Sequence, residues 1–436
     1  MSYRILYDGH NLGLRRGTGI AMYTRALVHL ARDLGHRTGI LFSRNSRLPR
    51  DELEREVAFF DADMSSSRLQ RLRAMLTLDG HLTSALGISA QKVATGAVLT
   101  EPLGTSWVQC DDVYSARRPF DRARVLFTVT GQFLKVRIPE PVDLFHWTSP
   151  LPVRSNARAN IYTVHDIIPL RLPYTTLDKK RFYLRSMRKL LAKADHVVTV
   201  SEHTKRDIVK YFRIGEDRIT NTYETALISP RIIERSSDDI ANEVAGSFGL
   251  QFRNYFLFYG SFEPKKNIGR ILRAYATSNI QMPIVFVFAQ SWLGEDDSRL
   301  IDQVIQEHRI DPDRSKRRRI RRYEYLPFPL LATLIQGARA VVFPSIYEGF
   351  GLPVLESMML GTPVITSTAS AIPEVAGDAA IMVDPYDVDA MAKAIKTLGS
   401  DSDMCAELST RGLRRAELFS MDRYRERMQK VYDRFL

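Results

Sequence analysis

Residues 340 to 363 read AVVFPSIYEGFGLPVLESMMLGTP, and the fold follows from how this stretch is read. It opens on Ala340-Val341-Val342-Phe343, a short apolar run of the kind a parallel strand buried on both faces requires. A Gly-Phe-Gly turn follows at Gly349 to Gly351, and Pro353 stands where a helix can begin without leaving an N–H unpaired. A strand, a glycine turn and a helix start aim backbone N–H groups and the positive end of a helix dipole at one spot, which makes an anion cradle. Two carboxylates eight positions apart flank it, Glu348 at the strand's end and Glu356 inside the helix. One loop can then hold a phosphate with its amides and hydroxyl groups with its carboxylates.

Outward from this loop, short apolar runs alternate with amphipathic helical stretches. That pattern predicts an α/β fold of parallel sheets with helices on both faces. In the first half, strands are expected at Ile5 to Tyr7, Gly39 to Phe42, Leu144 to Trp147, Ile161 to Val164 and His196 to Val200, with a helix from about Ile20 to Leu34. The pattern restarts near Tyr255. Strands are expected there at Tyr255 to Tyr259, Ile284 to Phe288, Ile320 to Tyr325, Ala340 to Phe343, Pro363 to Thr366 and Ala380 to Val383, enough for one doubly wound domain. The expected division is a Rossmann-like domain over 1–232, a second over 240–415 and a terminal helix over 416–436. The polar Ser236 to Asp239 (SSDD) falls in the connection between the halves. Met421 to Leu436 sets Tyr424, Met428, Val431 and Tyr432 at helical spacing. Residues 65 to 140 carry no pattern clear enough to assign.

The 436 residues, 44% hydrophobic and 26% charged, suffice for two globular cores. The N-terminus, MSYRILYDGHNLG, carries charge where a signal peptide needs an apolar centre, and no apolar run is long enough to span a bilayer, so a cytoplasmic protein is expected. Cys110 and Cys405 lie too far apart in sequence for a disulfide framework or a zinc motif. The net charge of +12 suits an anionic partner: phosphorylated substrates or an acidic membrane surface. Nucleic acid is the weaker choice, for no zinc-finger spacing and no RNA-recognition signature is present. Cations cluster in Lys316 to Arg322 (KRRRIRR), in Arg68 to Leu76, and in Lys179-Lys180-Arg181 with Arg185, Arg188 and Lys189. A solvated surface is the ordinary reading of such runs; contact with an anionic leaflet is the alternative.

In open α/β sheets ligands bind beyond the carboxyl ends of strands, so the loops after strands carry the chemistry. After the first strand, Gly17 and Gly19 flank Thr18 just before a helix, letting the backbone approach a phosphate closely. After another comes His165-Asp166, a proton carrier beside a carboxylate or simply a hydrogen-bonded loop histidine. Opening the second half is Gly260-Ser261-Phe262-Glu263-Pro264-Lys265-Lys266-Asn267, with two cations at a strand-to-helix junction where a leaving phosphate would develop charge. Each of these has a bland reading when taken alone.

Together with EGFGLPVLES they resemble glycosyltransferase family 4, retaining enzymes of the GT-B fold, in which two doubly wound Rossmann-like domains face an interdomain cleft. The resemblance covers nearly the whole chain and is densest from about 255 to 385, where Ser370 to Ala380 and Val383-Asp384-Pro385 look like the family's closing segment. It implies that the terminal helix crosses back to the first domain. It also implies roles. Glu348 would stand by the donor sugar near the anomeric centre, and Glu356 would bind the ribose hydroxyls. Lys266 would neutralise the diphosphate, with the amides of Phe350, Gly351 and Leu352 holding sugar or diphosphate. His165 would lie by the donor sugar through its carbonyl or its side chain, Gly17, Thr18 and Gly19 would approach the diphosphate from the other domain, and Tyr325 and Leu326 would meet the base. One position departs from the pattern of many members: Gly260-Ser261-Phe262 has no arginine shortly after the glycine. Lys265, Arg270, Arg15 or Arg16 would then be the second cation.

The resemblance implies transfer of a hexose from a nucleoside-diphosphate sugar, which is a substrate and not a cofactor. Glu348 would stabilise an oxocarbenium-like state, and the leaving phosphate would take the acceptor's proton. Asp61 and Asp63 form an Asp-x-Asp that would suit a metal, but Asp311-Pro-Asp313, Asp387-Val-Asp389 and Asp401-Ser-Asp403 show how common that spacing is here, so no metal is expected. The spellings EPKKN and YEGFGLP are most similar to bacterial mannosyl- and rhamnosyl-type transferases of surface polysaccharides, which favours GDP-mannose and a lipid-linked or growing glycan as acceptor. A nucleotide-sugar epimerase of the same fold and a non-catalytic nucleotide-sugar-binding protein are the competing readings.

Overall fold

The apolar runs become strands of two separate sheets in the computed structural model, which describes residues 2–12, 19–44, 49–61, 87–98, 108–176, 178–289 and 320–436. The first half supplies β1 (Arg4–Asp8), β2 (Arg37–Arg44), β3 (Ile88–Ser89), β4 (Gln91–Val93), β5 (Asp112–Arg117), β6 (Leu134–Arg137), β7 (Leu144–Trp147), β8 (Val153–Ser155), β9 (Ala159–Val164), β10 (His196–Thr199) and β11 (Ile219–Asn221). Eight of these form one sheet in the order β11-β10-β9-β7-β1-β2-β5-β4, parallel throughout except at the β4–β5 edge. Strands β3, β6 and β8 make a small sheet of their own.

The second half supplies β12 (Phe256–Ser261), β13 (Ile284–Ala289), β14 (Ile320–Glu324), β15 (Ala340–Phe343), β16 (Val364–Ser367) and β17 (Ile381–Val383). Their order is β14-β13-β12-β15-β16-β17, all parallel. Counted within this domain, that is 3-2-1-4-5-6, the doubly wound order whose direction reverses between β12 and β15. All four residues of β15 are fully buried, as strands covered by helices on both faces must be. The reversal opens a crevice at the carboxyl ends of β12 and β15, from which Lys266 and Glu348 emerge.

Between the halves, Ser236 to Asp239 begins the helix Ser237–Phe248, with the Ser236 hydroxyl accepting from the Asp239 amide at 3.1 Å. Serine caps orphan amides, and Asp238 and Asp239 stand at the positive end of the dipole. At the other end, the helix Met421–Tyr432 buries Tyr424, Met428, Val431 and Tyr432, as its spacing predicts. It packs on the first domain: the Tyr432 hydroxyl meets the Tyr7 hydroxyl at 3.1 Å and His146 Nδ1 at 2.9 Å. His146 Nε2 continues to Thr163 Oγ1 at 2.7 Å, and Tyr23 shares that hydroxyl at 2.8 Å. The chain thus crosses between the domains and returns. Cys110 and Cys405 are free thiols.

Candidate active site

Lys266 ends the single 3-10 turn Pro264–Lys266 that follows β12. Its Nζ donates to Glu348 Oε1 at 2.7 Å, and both side chains are buried. The ammonium also lies 4.7 Å from the centre of the Phe343 ring, whose face attracts it. Burial alone would push the Glu348 carboxyl up, but Lys266 and Lys265 outweigh it and hold it below its usual range. Lys265 is desolvated as well, yet Glu348, Asp166 and Glu263 raise its ammonium above the ordinary lysine value. Its Nζ is 3.3 Å from Glu263 Oε2. Asn267 turns the chain into the next helix with φ +64°, a left-handed conformation asparagine tolerates. Its Nδ2 donates to the carbonyls of Pro344 and Pro385, tying three loops of the crevice together. Arg270 instead bonds Asn267 Oδ1 and lies over the Tyr386 ring, so among the described candidates Lys265 is the second cation beside Glu348.

The glycine turn leads into the helix Leu352–Met359. Gly351 has φ +113°, a backbone conformation that residues with a side chain rarely adopt, so the turn requires glycine. Phe350 is buried, its ring centre 5.5 Å from that of Phe419. Among the described residues Glu356 has no cation beside it; Tyr259 donates to its Oε2 at 3.1 Å. Desolvation raises the Glu356 carboxyl to about 7, with the tyrosine only partly offsetting it.

The first domain closes over this loop. A Cβ on Gly349 would lie 2.2 Å from the His165 carbonyl oxygen, so main chain meets main chain across the cleft. The His165 ring points elsewhere: Nδ1 is 2.8 Å from Glu224 Oε1 and Nε2 is 3.0 Å from the Thr148 carbonyl. Burial pulls this imidazole down, but two acceptors hold its proton and leave it above its ordinary value. Of the glycine loop after β1, Gly19 faces Leu352, whose Cδ1 would lie 3.4 Å from a Cβ placed there, whereas Gly17 and Thr18 lie outside the described residues. So do Arg15 and Arg16, the run Arg68 to Leu76, and Lys316 to Arg319. Tyr325 follows β14 with 44% of its surface exposed, and Leu326 beside it packs into the second core. Sequence reasoning missed the grip of the helix Glu202–Phe212 of the first domain. Asp207 accepts from the Tyr347 hydroxyl at 2.6 Å, and the Glu202 amide donates to Glu374 Oε2 at 2.8 Å. Among the described residues, no three His, Cys, Asp or Glu side chains converge to hold a metal.

Two Rossmann-like domains closed on a Lys–Glu pair at a topological switch point define a GT-B glycosyltransferase. This chain belongs to glycosyltransferase family 4: residues 99–223 match the family of that description and residues 248–415 match Glycosyl transferases group 1. It is 34% identical over 269 residues to the O-antigen chain mannosyltransferase B of Escherichia coli, spanning 60% of this chain and 67% of that protein. It is 28% identical over 306 residues to the O-antigen chain mannosyltransferase RfbU of Salmonella typhimurium, spanning 68% and 78%. Among solved structures, Anabaena HepE in complex with UDP and glucose superposes with TM-score 0.67 at 14% identity, over 99% of each chain. At that identity the likeness speaks for the fold.

Proposed function

We propose that this protein moves a hexose, with mannose from GDP-mannose as the favoured donor, onto a lipid-linked or growing glycan with retention of configuration. The buried Lys266–Glu348 pair at the β12–β15 crevice is the observation that carries this reading. As the anomeric C–O bond breaks, its electron pair goes to the diphosphate, whose charge Lys266, Lys265 and the start of the helix Leu352–Met359 neutralise without a metal. Glu348, kept anionic by those lysines, stabilises the positive anomeric carbon. The acceptor hydroxyl bonds to that carbon from the same face, and its proton passes to the departing phosphate oxygen. Glu356 holds the ribose hydroxyls. The O-antigen mannosyltransferase relatives support the sugar, and the acceptor class with it.

A thermal-shift screen with GDP, UDP, dTDP and ADP sugars tests the donor. GDP-mannose is expected to raise Tm most, and Glu348→Ala to abolish transfer while nucleotide binding persists. A wild-type transfer rate in Glu348→Ala would remove the site assignment.

An acceptor of that kind calls for a protein at the inner face of the membrane. Among the described residues no helix is long and apolar enough to cross a bilayer. The helix Lys180–Lys193 carries six cations and no acid, with Arg181, Arg185 and Arg188 exposed. Val125 and Val129 are exposed at 39% and 79% on the neighbouring helix Pro119–Thr130. Cations beside exposed valines suit an anionic leaflet. Co-sedimentation with phosphatidylglycerol vesicles, but not with neutral ones, is expected, and Arg185→Glu with Arg188→Glu should lose it.

A further inference from the structure

Three successive residues of the loop that presents Glu348 are held by three different partners. The Ile346 amide donates to the Lys265 carbonyl at 2.8 Å, and the Glu348 amide donates to Ser370 Oγ at 2.8 Å. Both partners belong to the second domain. Tyr347, between them, reaches the other way: its hydroxyl donates to Asp207 Oδ2 at 2.6 Å, across the cleft. Both residues are buried, Tyr347 at 5% exposure and Asp207 at 7%, so water does not compete for the bond. Asp207 is itself braced. Arg171 Nε and His203 Nε2 each lie 3.5 Å from the same carboxylate oxygen, and the His203 ring packs edge-on against the Tyr347 ring at 5.3 Å. The helix that carries Asp207 is fixed at its start by Glu374, whose Oε2 takes the Glu202 amide and whose Oε1 lies 3.2 Å from Arg206.

We propose that Asp207 is a positioning residue for sugar transfer, acting through the Tyr347 hydroxyl to fix Glu348 only when the two domains are closed. The inference rests on the role given to Glu348 above. Nothing in it requires Asp207 to touch substrate. Its consequence is an ordering of events. Lys266 and Glu356, assigned above to the donor, both belong to the second domain and so can engage it before the cleft closes. Glu348 reaches its working position only once the first domain supplies Asp207, so the bond cleavage waits for the domain that brings the acceptor. A glycosyl donor would then be protected from water until both substrates are in place.

The variants Tyr347→Phe, Asp207→Ala and Asp207→Asn separate this role from a merely structural one. Tyr347→Phe removes a single oxygen and keeps the ring packing, so it reports even where loss of the aspartate disturbs folding. A hydrogen bond to a charged acceptor is worth enough that kcat should fall between about tenfold and a hundredfold in Tyr347→Phe and in Asp207→Ala. Nucleoside-diphosphate affinity, measured by calorimetry, should stay within about twofold, because neither side chain is among the groups assigned to hold the nucleotide. Asp207→Asn keeps an acceptor for the hydroxyl and should recover most of the rate. The double variant Tyr347→Phe/Asp207→Ala should be no slower than the worse single one, since both delete one bond. Wild-type kcat in Tyr347→Phe, or losses that multiply in the double variant, would overturn the proposal. So would a weakening of nucleotide binding that accounts for the whole effect. Absence of transfer by the wild-type protein from any sugar nucleotide would instead strike the underlying reading, which keeps the two failures apart.

Discussion

Glu356 carries a stability cost that the proposed contact with the ribose would explain. Among the described residues its carboxylate is met by the Tyr259 hydroxyl and by no cation, and burial raises the carboxyl to about 7. A carboxyl raised above its unfolded value binds a proton more readily in the folded state, so its contribution is fully present below about pH 4.5 and is lost as the pH rises through about 7. Glu356→Gln, which resembles the protonated form, is therefore expected to stabilise the ligand-free protein by about 1–2 kcal/mol at pH 8 and to change little at pH 4.5. Denaturant unfolding at the two pH values measures this. The same variant should bind nucleoside diphosphate more weakly, a trade of stability for function. At this scale the sequence was informative where chemistry is local. Glu348, Lys266 and the glycine turn sit in one loop or in its neighbour across the switch point. Asp207 and Glu224 were not legible, because their partners Tyr347 and His165 lie 140 and 59 positions away, and no local pattern marks a carboxylate as the acceptor of so distant a partner.

Among elements, β12, β13 and β15 of the second domain were readable because each is built on a continuous apolar run, as burial on both faces demands, whereas the edge strand β14, IRRYE, is half-exposed. The short strands of the first half were not. Strand β6 alternates buried and exposed residues with Lys135 and Arg137 outward, and β4, β8 and β11 have three residues each, too few for a period to register. Two of the Asp-x-Asp spacings prove to be helix starts: Asp387 accepts from the Ala390 amide and Asp401 from the Met404 amide, each at 2.9 Å. Such local bonding is what aspartate does at an N-cap, and it explains why the spacing recurs. The terminal helix is the element whose docking the periodicity foretold. Its Tyr432 hydroxyl joins two buried groups, Tyr7 and His146, the latter kept neutral by desolvation that lowers it to about 3. Tyr432→Phe leaves both without that partner and should cost about 1–3 kcal/mol, read as a shift of the urea midpoint with an unchanged slope.

For the molecule as a whole, the pairing of two Rossmann-like halves was expected from the motifs' resemblance, while the way they meet was not. Gly349 needs no special backbone conformation of its own; glycine is there because the His165 carbonyl occupies the place of a side chain. Gly349→Ala is expected to prop the cleft open: a larger radius of gyration in solution scattering, transfer slowed by more than about tenfold, and nucleotide binding nearly intact, since a misplacement of about 1 Å is enough to slow chemistry severely. An unchanged radius with wild-type turnover would mean that the contact does not govern closure.

The return of the terminal helix also sets an order of assembly. The second domain is an insertion within the first, continuous in sequence and closed upon its own sheet. The first domain, begun at β1, cannot complete the Tyr7–His146–Thr163 bond network until Tyr432 has left the ribosome. The second domain can therefore acquire its structure during synthesis before the first is completed, and the cleft between them does not exist until Tyr432 has emerged.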